Sequence, residues 1–191
     1  MILKCGDSNF KYGWLDLIAQ DPVHPGINVY NRIINDRTVF VYAIDNEAHF
    51  IISAQLTSKI SKTMDEIMKS ECDTSIIPTI AIFYSIFRIP GKGIKGTGGQ
   101  VLKDLIDYCK LRGIKEFYTL SPIPFLTKNI KELPDNKTLY KYLESRTGPV
   151  ENFHLKNEAQ IKNINYNADS SEIRMNESWG IMINYNYTLD E

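Results

Sequence analysis

Cysteine is scarce in this chain. Cys5, Cys72 and Cys109 are the only three, and no two stand at C-x-x-C spacing. An odd, scattered set excludes a disulfide framework and a zinc or redox motif, and it suits free thiols in a reducing compartment. Histidine is as sparse: His24, His49 and His154 lie far apart, and no carboxylate spacing completes a metal site around them. Net charge is nearly absent, with 22 basic residues against 23 acidic ones, so no general attraction to nucleic acid is expected. Long apolar runs are missing too. No segment reaches transmembrane length, and MILKCGDSNFK at the start carries no hydrophobic signal core. Leu189–Asp190–Glu191 is no peroxisomal address. These absences predict a cytoplasmic protein that binds neither nucleic acid nor membrane. Internal repeats and low-complexity linkers are also lacking, and 191 residues suffice for one sizeable core, so a single domain over 1–191 is expected.

What is present centres on residues 80 to 126. An apolar run of strand length, Ile80 to Phe87, leads into a basic, glycine-rich loop, Arg88 to Gly99. Val101, Leu102, Leu105, Ile106 and Cys109 then share one helix face, and Gly113 follows where a helix end favours a left-handed residue. A second apolar run, Ile114 to Leu120, delivers Ser121, Pro122, Ile123 and Pro124. Strand, glycine loop, helix and strand make an anion-binding arrangement: free N–H groups and the helix dipole converge at the start of the helix. Gly93, Lys95, Gly96, Thr97, Gly98 and Gly99 are the candidate pyrophosphate contacts, with Arg88 and Lys92 adding charge. The loop is not a Walker P-loop, since no GK[ST] follows the glycines, and it lacks the setting of a Rossmann fingerprint.

The flanks read as a mixed sheet with helices. Phe10 to Ala19 and Val29 to Ile34 have helical spacing, and Pro22 and Pro25 break the chain around His24. Thr38 to Ile44 and Phe50 to Leu56 predict a hairpin turned by Asp45, Asn46 and Glu47, with His49 exposed beside it. Ser58 to Lys69 predicts a helix, with Ile60, Met64, Ile67 and Met68 on one face. Phe125 to Pro149 predicts one short helix through Leu133, Leu139, Tyr140 and Leu143, ended by Gly148 and Pro149. Trp179 to Tyr187 alternates as a late antiparallel strand.

FYSI (Phe83–Ile86), GIKG (Gly93–Gly96), TLSPIP (Thr119–Pro124), HLKNEAQIKNINYNADSS (His154–Ser171) and SWGIMINYNY (Ser178–Tyr187) follow one another in an order that resembles the malonyl-CoA decarboxylase catalytic domain. VHP (Val23–Pro25) and AQLT (Ala54–Thr57) resemble it more weakly. The resemblance spans most of the chain, from about residue 10 to 188. It implies an α/β (α+β) fold of the acetyltransferase-like GNAT type, with a mixed, mostly antiparallel sheet flanked by helices, and without the family's N-terminal helical domain. It implies decarboxylation of malonyl-CoA, or of a malonyl group on a carrier protein, to acetyl thioester and CO2, with no metal and no organic cofactor. It places a Ser–His pair on Ser121 and His154, with Ser85 and Tyr187 lining the same site. A histidine suits proton delivery because its ordinary pKa lies near neutrality. The family's loop glutamate has no counterpart in Thr97–Gly98–Gly99, and Asp169 and Glu158 are the candidate replacements. Two other expectations remain beside decarboxylation: an acyltransferase that keeps the CoA site, and an acyl-CoA-binding module without turnover. A monomer or small homo-oligomer is expected.

Overall fold

A computed structural model describes residues 1–20, 28–71, 75–93 and 96–188. His24, Cys72, Lys95 and Leu189–Asp190–Glu191 lie outside the described residues. Two compact units emerge, one of residues 1–59 and 70–115, the other of 60–69 and 116–191.

The first unit is an antiparallel meander of β1 (Ile2–Lys4), β2 (Arg37–Ile44), β3 (Glu47–Thr57) and β4 (Ile80–Arg88). The hairpin turn is shorter than expected. Asp45 and Asn46 alone make it, at φ 48° and 66°, the left-handed region that a two-residue turn requires and short polar side chains tolerate. Glu47 already belongs to β3. Strand alternation sorts β2 onto two faces. Val39, Val41 and Ala43 pack with Phe10, Trp14, Leu15 and Ile18. The latter group comes from 3-10 turns at Tyr12–Gln20, where an α-helix was expected. Gly13 and the neighbouring aromatics have weak helix propensity, which fits the looser winding. Phe40, on the opposite face, meets the edge of Tyr108, with ring centroids 5.8 Å apart.

Tyr108 belongs to helix α2 (Gly98–Lys110), which buries Val101, Leu102, Leu105 and Cys109 of the expected face and leaves Ile106, the fifth expected position, half-buried. Each fully buried aliphatic side chain of this kind contributes about 1.5–3 kcal/mol. Opposite β4 the register slips: Ser53 faces Ser85, yet Ala54 faces Phe83. Tyr84 is therefore an extra residue, and its bulge bends β4 locally. His49, expected to be exposed, is half-buried within β3.

The second unit is organised by β8 (Met182–Asn186), which pairs antiparallel with β5 (Glu116–Thr119), β6 (Ser121–Pro122) and β7 (Gln160–Asn165). Residues Ile181 to Tyr185 are all buried. The helices around this strand are short. Helix α1 (Met64–Met68) replaces the longer one expected from Ser58, because Thr63 caps it: Thr63 Oγ1 accepts the Glu66 N–H at 3.0 Å. Between residues 125 and 149 there are two helices, α3 (Leu126–Asn129) and α4 (Asn136–Glu144), where one was expected. Asp135 caps α4, and Leu139 and Leu143 are its buried positions, while Leu133 and Tyr140 stay exposed. Helices α5 (Pro149–Lys156) and α6 (Glu172–Ser178) were not anticipated. Gly148–Pro149, read as a stop, is a start: proline at the first helical position has φ preset and no N–H to satisfy. Helix α6 ends on Trp179 and Gly180, at φ 51° and 70°. A Cβ on Gly180 would lie 2.6 Å from the Asp169 carbonyl oxygen, so the glycine permits this close return to the sheet. No helix among the described residues is long and apolar enough to cross a membrane.

Candidate active site

Three side chains of the second unit form one hydrogen-bonded line. Ser121 Oγ lies 2.9 Å from His154 Nε2, and His154 Nδ1 lies 2.7 Å from the Tyr187 hydroxyl. Each is delivered by a local reason. Ser121 opens β6 directly after the break at Leu120, on an edge strand where Pro122 omits no needed ladder bond. His154 sits one turn after Glu151 on α5, so the two share the buried side of the helix, at 4% and 1% exposure. Tyr187 follows β8 and extends it, since its N–H donates to the Phe117 carbonyl. The imidazole is sandwiched as well as bonded. Tyr185 stacks on it with centroids 4.3 Å apart and planes 22° from parallel, and Phe153 meets it edge-on at 5.2 Å.

Burial sets the electrostatics. Desolvation pushes His154 down to about 3, so near pH 7 the ring is neutral. This departs from the expectation of a histidine titrating near neutrality, and its physical reason is the loss of water around the cation. Burial likewise pushes the Tyr187 and Tyr185 hydroxyls up, and the Glu151 charge adds to the rise at Tyr185. A base whose folded pKa lies below its unfolded one favours the unfolded chain when protonated. Stability therefore falls as pH drops from about 6.5 towards 3, by about 1.4 kcal/mol per pH unit from this group. Urea denaturation between pH 7 and 5 checks it: His154→Phe should show a shallower loss than the parent, and equal slopes would refute the assignment.

The remaining expected residues are placed as follows. Ser85 lies on β4 in the first unit, half-buried and opposite Ser53. In the glycine loop, Lys92 is held by Glu47 in an exposed pair at 2.6 Å. Gly93 has a packing role, because a Cβ there would lie 2.5 Å from the Arg88 side chain and 3.1 Å from the Phe50 ring. Gly96 is left-handed at φ 91°. Thr97 is the N-cap of α2, and its carbonyl accepts the first helical bond, from the Val101 N–H. The N–H groups of Gly98, Gly99 and Gln100 stand ahead of that ladder, with no acidic side chain in the first turn.

Asp169 and Glu158 are not placed as acidic partners of His154. Asp169 Oδ1 accepts the Ser171 N–H, and Glu158 is exposed at a left-handed φ of 66°. The buried carboxyl of this unit is Glu151, which the sequence reading passed over. Its Oε1 accepts the Gly148 N–H at 2.5 Å, and Oε2 has no hydrogen-bond partner. A glutamate three residues after an N-cap position was the available signal. Among the described residues, no group of three or more His, Cys, Asp or Glu side chains is arranged to hold a metal ion.

Residues 138–191 match the model of the malonyl-CoA decarboxylase C-terminal domain, a stretch that contains His154 and Tyr187. The mitochondrial malonyl-CoA decarboxylase of Anser anser anser is 26% identical, over 92% of this chain and 49% of its own length. This chain thus spans about half the length of that curated relative. The crystal structure of malonyl-CoA decarboxylase from Agrobacterium vitis superposes with a TM-score of 0.81 at 21% identity, over 100% of this chain and 60% of that one. The GphF GNAT-like decarboxylase, solved with isobutyryl-CoA, superposes with a TM-score of 0.72 at 16% identity, over 100% of both chains. Residues 138–191 are thus similar to the C-terminal domain of malonyl-CoA decarboxylase, and the chain as a whole shares the fold of the solved malonyl-CoA decarboxylases and of the GNAT-like decarboxylase.

Proposed function

We propose that this protein decarboxylates malonyl-CoA, or a related malonyl thioester on a carrier protein, to the acetyl thioester and CO2. The buried Ser121–His154–Tyr187 line carries the proposal, because His154 and Tyr187 of this hydrogen-bonded line belong to the segment that matches the decarboxylase model. The carboxylate's C–C bond breaks and its electron pair enters the thioester carbonyl as an enolate, so the substrate supplies its own electron sink. One proton must then reach the α-carbon. His154 enters neutral; the enolate's developing negative charge favours uptake of a proton from water onto the ring, and the ring gives one proton to the α-carbon and returns to its neutral form. Ser121 and Tyr187 orient the two nitrogens. Ser85 belongs to the proposal as a further contact. The residues of the glycine loop, Gly93 and Lys95 to Gly99, are proposed to hold the CoA pyrophosphate through backbone amides. The same proposal includes a cytoplasmic setting, a place in fatty acid metabolism, and a monomer or small homo-oligomer.

Malonyl-CoA alone is the test. Acetyl-CoA and CO2 without an acceptor support decarboxylation. Loss of acyl group only when an amine or alcohol is added supports an acyltransferase, a reading favoured by the shared fold of an aminoglycoside 6'-N-acetyltransferase bound to coenzyme A, at a TM-score of 0.61. Binding without turnover supports a binding module. For the loop, Gly98→Val should weaken CoA affinity about tenfold in a folded protein, since a branched side chain crowds the first amides of α2. Calorimetric titration reads this, and unchanged affinity would remove the loop from the site.

A further inference from the structure

Each hydroxyl has one proton, and a neutral imidazole has one N–H, so a chain of such groups has few consistent arrangements. Ser121 Oγ has two partners: it donates to Thr119 Oγ1 at 3.0 Å and lies 2.9 Å from His154 Nε2. Its single proton is committed to Thr119. The bond to His154 must then run the other way, with Nε2–H donating to Ser121 Oγ. Nδ1 is left as the acceptor, and the Tyr187 hydroxyl donates to it at 2.7 Å. We infer that Thr119 is a positioning residue that fixes His154 as the Nε2–H tautomer through Ser121.

The groups are well placed for such control. Thr119 and Ser121 are two residues apart across the β5–β6 junction, so their side chains share a face. Their exposures are 1% and 7%, and those of His154 and Tyr187 are 4% and 7%, which leaves little water to substitute for a missing partner. The Thr119 carbonyl is itself held by Asn184 Nδ2 at 2.9 Å, which fixes the residue in place. The tautomer has a chemical consequence. With Nε2–H facing it, the Ser121 oxygen has no base to take its proton, so it is not prepared to attack a thioester carbonyl. The same N–H is a proton held ready on the Ser121 side of the ring. This consequence rests on the proposed thioester chemistry, whereas the tautomer itself does not.

The test is nitrogen-15 NMR of the full chain at pH 7, with histidine labelled on both ring nitrogens. His154→Gln identifies the resonances. The parent should show a pyrrole-type Nε2 and a pyridine-type Nδ1. The reverse pattern would overturn the inference. Thr119→Val removes the acceptor of the Ser121 proton, and the best acceptor left is Nε2. Its spectrum should move towards the Nδ1–H tautomer, with Thr119→Ser restoring the parent pattern. An unchanged tautomer in a Val variant whose other resonances match the parent would overturn the inference. Should Thr119→Val not fold, Thr119→Ala gives the same two outcomes. Malonyl-CoA turnover on the same samples separates the two claims. A roughly tenfold lower kcat with KM little changed in the Val variant, recovered in Thr119→Ser, supports both. Absence of turnover in the parent overturns decarboxylation and leaves the tautomer result standing.

Discussion

His154→Ala should lower malonyl-CoA turnover by roughly 10²–10⁴-fold, the range for loss of a positioned proton-transfer group, with CoA affinity little altered. In the Ser121–His154–Tyr187 line the imidazole is the middle group, bonded to Ser121 and to Tyr187. Its removal breaks the path at the centre, whereas Ser121→Ala or Tyr187→Phe removes an end. Each end variant should therefore cost less than His154→Ala. The Ser121→Ala/His154→Ala double variant should be impaired far less than the product of the two single effects, since both remove the same path. Steady-state kinetics following CO2 release reads all of these. Full turnover in His154→Ala would rule the ring out as the proton carrier.

The largest stability loss should come from Asn184→Leu, at roughly 3–5 kcal/mol from buried polar groups left unpaired. Asn184 is fully buried in the middle of β8. Its Nδ2 donates to the Ser61 carbonyl at 3.1 Å and to the Thr119 carbonyl at 2.9 Å. Its Oδ1 accepts from Asn165 Nδ2 at 2.9 Å and Asn163 Nδ2 at 3.3 Å. A leucine has similar volume but leaves the buried Ser61 and Thr119 carbonyls and the Asn165 amide without their partner, while half-buried Asn163 can turn to water, so its apolar surface does not compensate. The shift of the urea midpoint measures this. A loss under 1 kcal/mol would mean that water or a rearranged neighbour takes over those bonds.

Elements whose signal is local were legible in the sequence. The α2 face, the β2–β3 hairpin and β8 each follow from spacing or turn residues within the segment itself. Helix α5 was not, because Gly148–Pro149 ends a helix as readily as it begins one. The choice was made by Glu151, whose carboxyl caps Gly148 from inside the protein. Helix α1 was over-extended because the apolar positions Ile60 and Met64 suggested an earlier start than Thr63 allows. At the site, Ser121, His154 and Tyr187 came from matched motifs, and their mutual bonds follow from folding alone. Thr119 lay within a quoted motif yet carried no signal of its own, since a threonine at a strand end is ordinary. The ring's neutrality was illegible for a different reason: desolvation is a property of the surroundings, which spacing does not encode.

The pairing around β8 also dictates an order of assembly. Strands β6 and β7 pair with β8 and, among the described residues, with no other strand. Both precede β8 along the chain, so on the ribosome they emerge before their partner exists. Until β8 is synthesised, Ser121 and His154 are carried on strands and helices with open edges, and Tyr185 and Tyr187 have yet to arrive. The hydrogen-bonded line and the sheet of this unit therefore cannot be complete before β8 is made, and a nascent chain halted before β8 leaves the edges of β6 and β7 unpaired.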